Sequence, residues 1–240
     1  MGQVPANGAS PVGIVGNGRV ARHFRHYFSI LGIPFRTWSR QESPTLAPPD
    51  ALGACATVLL LIRDDAIVPF VEAWPALQQR RLVHCSGSLV TPYAAGAHPL
   101  MTFGPALYDA AEYRAIPFVI DRTETSLADL VPGLPNPWFT ISQSERPYYH
   151  ALCVMAGNFS MILWSKLFDE FEQRFGMPHS AAFPYLERVT ANLVTDARHA
   201  LTGPLSRGDA EAIAANLKAL EGDPFHAVYA AFVRAYEQRP

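Results

Sequence analysis

Short apolar runs separated by amphipathic stretches make up the first half of the chain. Runs rich in branched and aromatic residues lie at residues 11–15, 34–38, 54–62 and 81–85. The run at 54–62 is continuous, which is typical of a strand buried on both faces. Val20, Phe24 and Phe28 follow the first run at helical spacing. This alternation predicts an α/β fold with a doubly wound parallel sheet.

Two more short strands are predicted at residues 117–121 and 137–141, and the pattern changes near Ser142. Apolar residues then recur at spacings of three or four, which predicts one long helix over residues 145–175, interrupted at Gly157. Further helices are predicted over 180–200, from Ala210 and over 225–238. We therefore predict a nucleotide-binding domain at residues 1–143 and a smaller all-helical domain at 144–240.

A glycine-rich turn joins the first strand to the first helix in the pattern G-x-G-x-x-A. Gly16 permits a sharp turn, Gly18 lets a pyrophosphate approach the backbone, and Ala21 lets the helix pack closely on the strand. The alternative is an ordinary strand-turn-helix with a tight loop. Because motif and context agree, we predict a dinucleotide site that contains Gly16, Asn17, Gly18, Arg19 and Val20.

The ends of the next two strands indicate which dinucleotide binds. Ser39 and Arg40 end the second strand, where an NAD site usually has an acidic residue for the ribose. A hydroxyl and a guanidinium suit a 2′-phosphate, so we favour NADP over NAD, although a solvated turn is the alternative. Ile62 and Arg63 end the third strand and are predicted near the nicotinamide; a surface role for Arg63 is equally compatible.

Asp64 and Asp65 follow Arg63 directly. Either carboxylate could take part in chemistry, but the pattern favours one of them as the N-cap of a helix over residues 66–77. This assignment leaves the acid-base chemistry to other residues.

Three polar residues are candidates for catalysis. His98 is predicted in a loop rich in Pro and Gly, where an imidazole can exchange a proton near neutral pH or simply bond the loop. Ser86 follows the fourth strand. Asn158 lies in the long helix and could bind a carbonyl group or satisfy the backbone of a neighbouring helix.

Composition narrows the class of protein. The chain has 240 residues, 49% of them hydrophobic, and a formal net charge of −2, so neither nucleic acid nor an anionic membrane is expected as a partner. No uninterrupted apolar run is long enough to span a bilayer, and residues 1–10 lack the pattern of a secretory signal. The three cysteines are few and far apart, which predicts reduced thiols in the cytoplasm and no metal site.

Taken together, the motifs resemble a broad group of reductases that join a Rossmann-like domain to a helical domain. That group includes pyrroline-5-carboxylate reductase, 6-phosphogluconate dehydrogenase and prephenate dehydrogenase. More closely, the chain resembles a bacterial family with a Rossmann-like NADP-binding domain followed by a helical domain of unknown function. The matching segments extend along nearly the whole chain, at residues 16–21, 86–88, 98–100, 102–103, 157–159, 201–204 and 207–209.

The resemblance implies a nicotinamide-dependent oxidoreductase and a homodimer formed through the helical domain. His98-Pro99 is similar to the His-Pro pair of prephenate dehydrogenases, where the histidine acts on the substrate hydroxyl and a serine from a Gly-Ser turn assists. Ser86 or Ser88 could correspond to that serine, although the continuation after His98-Pro99 differs. Asn158 precedes Lys166, opposite to the order in β-hydroxyacid dehydrogenases, so their mechanism is not transferred.

We therefore expect an NADP-dependent oxidoreductase that reduces a small carbonyl or imine compound in the cleft between the two domains. His98 would be the general acid, Ser86 and Asn158 would orient the substrate, and Thr202 or Arg207 could contact it. The alternative is a regulatory or scaffolding protein that binds NADP without turnover. An enzyme that uses an adenosyl cofactor is a third possibility, which Arg40 argues against.

Overall fold

The computed structural model describes residues 10–239. The prediction that residues 1–10 are not a secretory signal therefore falls almost wholly outside the described residues. Internal contacts divide the chain into one unit that ends at Met161 and another that begins at Ile162. The predicted division at 143/144 lies at the start of the long helix, whereas the contacts divide the chain inside that helix. The reason is that the first turns of the helix pack on the sheet of the first unit.

A seven-stranded sheet forms the centre of the first unit, in the order β2-β1-β3-β4-β5-β6-β7. All neighbouring pairs are parallel except β5 and β6. The strands are β1 (Val12–Val15), β2 (Phe35–Trp38), β3 (Thr57–Leu60), β4 (Arg81–His84), β5 (Ala95–Pro99), β6 (Phe118–Asp121) and β7 (Trp138–Ile141).

The sheet confirms the α/β fold and corrects two details of the prediction. His98 lies in β5 and not in a loop, because Ala97, His98 and Pro99 pair with β6. The Gly and Pro residues around His98 are typical of a loop, but pairing with the two neighbouring strands makes this segment a strand. The antiparallel β5–β6 pair also departs from an all-parallel sheet; such a pair needs no crossover of the sheet face.

Helices flank the strands of the first unit. The first helix starts at Arg19 and ends before Gly32, whose φ of 68° closes it in the left-handed conformation. The helices are α1 (Arg19–Leu31), α2 (Pro48–Ala51), α3 (Asp64–Ala73), α4 (Ala110–Ala115), α5 (Leu127–Leu130) and α6 (Arg146–Val154), with 3₁₀ turns at Pro75–Gln79 and Gln143–Glu145.

The core consists of two apolar layers, one on each face of the sheet. Ile14 and Leu59 pack with Phe24 and Phe28 of α1 on one face. Val58 and the aliphatic side chains of α3 pack on the other face. Strand β3 therefore contributes to both layers, as its continuous apolar run predicts.

A fully buried ion pair attaches α6 to the sheet. The side chain of Arg146 is 0% exposed, and its Nε donates to the carboxylate of Asp121 at the end of β6. Its Nη atoms donate to the carbonyl oxygens of Ser86, Gly96 and Val119, at 3.4, 3.0 and 3.4 Å. One guanidinium thus joins the start of α6 to the ends or flanks of three strands.

The long helix continues through the boundary between the units. After α6, the segment Met155–Phe159 is π-helical, and α7 (Ser160–Gln173) follows. The π-helical segment contains Gly157 and Asn158, where the sequence predicted an interruption. The interruption is thus a π-helical turn inside one continuous helix, and not a break between two helices.

The second unit is helical throughout its described part. After a 3₁₀ turn at His179–Ala182, its helices are α8 (Phe183–Thr195), α9 (Pro204–Arg207), α10 (Ala210–Ala219) and α11 (Phe225–Glu237). Lys166 Nζ lies 2.7 Å from carboxylate oxygens of both Glu170 and Asp223, which attaches α7 to the start of α11. The side chain of Asp209 accepts from the backbone N–H of Ala212, as expected of an N-cap.

We predict that Arg146→Met lowers the free energy of unfolding by about 3–5 kcal/mol, because it leaves the Asp121 carboxylate buried without its partner. Urea denaturation measures the change. Arg122→Met is the matched control: Arg122 is adjacent to Asp121 but exposed, so its unfolding midpoint should stay near that of the wild type.

The double variant Asp121→Leu/Arg146→Met removes both charges and should recover part of the loss. A single Arg146→Met variant as stable as the wild type would contradict the structural role of the pair.

Candidate functional site

The turn after β1 requires glycine at its first position. Gly16 has a φ of 117°, which side chains rarely permit, and an added Cβ would lie 2.3 Å from the carbonyl oxygen of Leu61. Its backbone N–H donates to the carbonyl of Trp38 at 2.8 Å. Gly16 therefore brings the chain close to β3 and β2 for reasons internal to the fold.

Gly18 is different, because nothing in the fold requires glycine there. It is the N-cap of α1 with a φ of −69°, and a Cβ added to it would meet no heavy atom within 4 Å. The space over Gly18 is open, and the N–H groups of Arg19 and Val20 belong to the first helical turn, which has no internal acceptors for them. This arrangement suits a phosphate group.

A cleft of about 760 Å³ opens at the carboxyl ends of β1–β4, and we call it the cofactor cleft. All of the predicted cofactor residues line it. They are Gly16, Asn17, Gly18, Arg19, Val20, Ser39, Arg40, Ile62 and Arg63, and they are joined by Cys85 and Ser86 among others. The volume lies within the range of small-molecule and cofactor sites.

The end of β2 separates the roles of Ser39 and Arg40. Ser39 is 4% exposed, and its hydroxyl accepts from the N–H of Glu42 and donates to that residue's carboxylate. The Ser39 hydroxyl thus holds the turn. Arg40 is exposed at the rim of the cleft. Asn17 donates to Gln41 at 2.7 Å, which links the glycine turn to this rim.

The ends of β3 and β4 differ from the prediction in detail. Helix α3 begins at Asp64 with Arg63 at its N-cap position, so neither aspartate caps it. Asp65 pairs with the exposed Arg63, whereas Asp64 accepts a hydrogen bond from the Ser86 hydroxyl. The Ser86 oxygen also accepts from the N–H groups of Ser88 and Leu89. Its hydroxyl therefore stabilises the turn after β4, and its predicted role in orienting substrate stays a prediction.

His98 lies beside two residues of α6. Its Nδ1 is 2.8 Å from the hydroxyl of Tyr149, and its ring centroid is 5.7 Å from that of His150 in an edge-to-face arrangement. The His150 ring packs against Gly87, where an added Cβ would lie 2.2 Å from its Nδ1. Glycine at position 87 is thus required by the side chain that faces it.

Burial keeps the imidazoles of His98 and His84 uncharged at neutral pH. Burial, followed by the nearby His150 and Arg146, lowers the pKa of His98 to about 4. The pKa of His84, which is 1% exposed, is likewise lowered to about 4, by burial and then by Arg146. At neutral pH His98 is therefore a neutral imidazole, with one nitrogen protonated and the other an acceptor.

The remaining predicted contact residues lie elsewhere. Asn158 is exposed in the π-helical segment, and its side chain makes no hydrogen bond to another described residue. Thr202 and Arg207 belong to the second unit and are exposed. The roles predicted for these three residues stay predictions.

Arg146, Tyr149 and His150 were not predicted as site residues. All three fall at the start of a helix whose apolar pattern drew attention to its later turns. A signal was present: Arg146 is the one basic residue between Arg122 and Lys166. Its burial depends on contacts with residues 25 to 60 positions away, which no local pattern reports.

Other site classes receive little support from the described residues. Cys55, Cys85 and Cys153 are free thiols, as predicted. Within residues 10–239 no group of three His, Cys, Asp or Glu side chains could hold a metal ion.

One helix, at residues 143–173 with a mean hydropathy of 1.4, is long and apolar enough to cross a membrane by those two criteria. This helix was not predicted as a candidate span, because polar residues interrupt its apolar stretches.

The described architecture is a Rossmann-like α/β fold followed by helices, and known structures share it. A structure from Bacteroides fragilis, described as an NADP oxidoreductase, is 18% identical with a TM-score of 0.73, over 96% of this chain and 98% of that one. Pyrroline carboxylate reductase of Plasmodium falciparum, with NADP bound, is 13% identical with a TM-score of 0.60, over 95% and 96%. A reductive aminase of Aspergillus terreus, in complex with NADPH4, cyclohexanone and allyl amine, is 17% identical with a TM-score of 0.55, over 93% and 87%.

The chain belongs to the family defined by the domain of unknown function DUF2520, whose model matches residues 116–236, just over half of the length. No curated protein matches the chain. The family match and the shared fold confirm the resemblance that the sequence motifs indicated.

We predict that acid destabilises the protein partly through His84. Its folded pKa of about 4 lies below the unfolded value of 6.5, so the unfolded chain takes up a proton first as the pH falls. This contribution is complete above pH 6.5 and is lost toward pH 4, at about 1.4 kcal/mol per pH unit. Between pH 7.5 and 5 the His84→Gln variant should therefore lose about 2 kcal/mol less than the wild type in urea denaturation.

Each protein is compared with its own stability at pH 7.5, where the contribution of His84 is complete. If His84→Gln and the wild type lose stability in parallel, His84 is not held neutral in the folded state.

Proposed function

We propose that this protein is an NADP-dependent oxidoreductase that reduces a small carbonyl or imine compound. The observation that carries the proposal is the cofactor cleft, where a turn with open space over Gly18 meets a rim that carries Arg40. The similarity to structures described as NADP oxidoreductase, reductive aminase and pyrroline carboxylate reductase supports the same class of reaction.

The residues of the cleft fit a nicotinamide dinucleotide. The pyrophosphate would lie over Gly18, on the N–H groups at the start of α1. Arg40 would bind the 2′-phosphate with charge-assisted hydrogen bonds. The preference for NADP would depend on Arg40 and not on Ser39, because the Ser39 hydroxyl is hydrogen-bonded to Glu42. The nicotinamide end would lie near Ile62 and Arg63, which leaves Ser86 and Cys85 at the inner end of the cleft.

The chemistry asked of the protein is a proton transfer. Bound NADPH would supply the hydride, and the substrate oxygen or nitrogen needs a proton to complete the reduction. His98 is the proposed donor, through its protonated nitrogen, and solvent would restore that proton. Asn158 is proposed to orient the substrate, whereas the Ser86 hydroxyl keeps the turn after β4 in place through Asp64.

We predict that the protein binds NADPH more tightly than NADH, and that Gly18→Ala abolishes binding of both without loss of stability. A methyl group at position 18 meets no protein atom but would occupy the space of the pyrophosphate. Titration of nicotinamide fluorescence measures binding, and thermal unfolding measures stability. Arg40→Ala should weaken NADPH binding about tenfold, with little effect on NADH.

Gly16→Ala is the contrasting variant, because its Cβ would clash with Leu61 and should destabilise the fold itself. Full NADPH binding by Gly18→Ala would remove the proposed site. Cofactor binding without turnover across carbonyl and imine substrates would favour the regulatory or scaffolding alternative.

We also propose that the protein is a cytoplasmic homodimer formed through its helical part. Many large apolar side chains are exposed on the long helix, namely Leu152, Met155, Phe159, Met161, Ile162 and Leu163. A contiguous apolar surface of this kind normally marks an interface. The free cysteines support a reducing compartment. We propose that a second copy of the chain, and not lipid, covers the helix.

We predict a dimer by light scattering coupled to size-exclusion chromatography, and a monomer for Met155→Glu, because a charge would be buried at the interface. Val90→Glu is the control, since Val90 is an exposed apolar residue outside the helix. A monomeric wild type, or one that partitions into lipid vesicles, would contradict the proposal.

A further inference from the structure

The hydroxyl of Tyr149, at the start of the long helix, lies 2.8 Å from Nδ1 of His98. We propose that Tyr149 is a positioning residue that holds the proton of His98 on Nε2 and so presents a neutral N–H donor to the substrate. The proposal rests on the reductase function given above and assigns a task to a residue that the sequence motifs did not include.

The geometry defines which nitrogen of His98 is occupied. Nδ1 is 2.8 Å from the Tyr149 hydroxyl, and the two rings meet edge to face with centroids 5.6 Å apart. No other described residue makes a hydrogen bond to the side chain of His98, which keeps a partly exposed surface. Nε2 is therefore the nitrogen left for a ligand.

The direction of the hydrogen bond follows from the acceptors around Tyr149. Burial, and after it the neighbouring Cys153, raises the pKa of Tyr149, so the phenol keeps its single proton. An imidazole nitrogen is a far better acceptor than a thiol sulfur, which is weak in both roles. The phenol thus donates to Nδ1 of His98.

The charge state of His98 completes the argument. The imidazole is neutral near pH 7 because burial lowers its pKa to about 4, so it carries one proton in total. Since Nδ1 accepts from Tyr149, that proton is on Nε2. A neutral imidazole can serve as the donor to a developing alkoxide or amine, and it does not need to be charged beforehand.

The position of Tyr149 is fixed by the residues on either side of it along α6. Arg146, three positions earlier, is bound to Asp121 and to backbone carbonyls. His150, the next residue, fills the space beside Gly87. The backbone from which the Tyr149 side chain extends is therefore held beside β5.

The test uses NMR of the full-length protein with ¹⁵N-labelled histidine. Long-range ¹H–¹⁵N spectra distinguish a protonated imidazole nitrogen from one with a lone pair, and His98→Gln identifies the His98 signals. We expect Nε2 protonated and Nδ1 unprotonated in the wild type. In Tyr149→Phe, we expect a mixture of both tautomers and a kcat about tenfold lower, with an unchanged Kd for NADPH.

Tyr148→Phe is the matched control, because Tyr148 is the preceding residue of the same helix turn and its side chain is exposed. It should leave the spectrum and kcat unchanged. A wild-type His98 protonated on Nδ1, or a Tyr149→Phe spectrum identical to that of the wild type, would overturn the proposal. Failure to detect turnover with any carbonyl or imine would instead remove the reductase function, and the tautomer would still be read from the spectrum.

Discussion

The buried pair of Arg146 and Asp121 is the interaction on which the arrangement of the site depends. Desolvating a guanidinium and a carboxylate is costly, and the pair is stable only because backbone carbonyls satisfy the remaining donors. The same contacts dictate nearby sequence: a Cβ at Gly96 would lie 2.4 Å from the guanidinium. Once Arg146 is in place, the next turn of the helix must lie along β5, beside His98.

The cleft illustrates two different reasons for glycine in one motif. Gly16 is required by the fold, since its conformation and its contact with Leu61 exclude a side chain. Gly18 meets nothing, so its lack of a side chain has no purpose within the described chain. The protein keeps open a surface that folding alone does not require, and this favours a ligand whose phosphates approach the backbone.

The sequence predicted those parts that depend on local signals. The glycine turn after β1 and the buried strand β3 each follow from a few neighbouring residues, and both were predicted. The strand that contains His98 was not, because partners on both sides specify it. The hydrogen bond from the Ser86 hydroxyl to Asp64 was not predicted for the same reason, because it joins the ends of two strands.

The measurement that tests the central claim most directly is a crystal structure of the protein grown with saturating NADPH. We expect the pyrophosphate over Gly18, the 2′-phosphate at Arg40 and the nicotinamide ring near Ile62, at the carboxyl ends of β3 and β4. NADPH bound at another surface, or a cofactor cleft without density at saturating concentration, would contradict the claim that this cleft is a dinucleotide site.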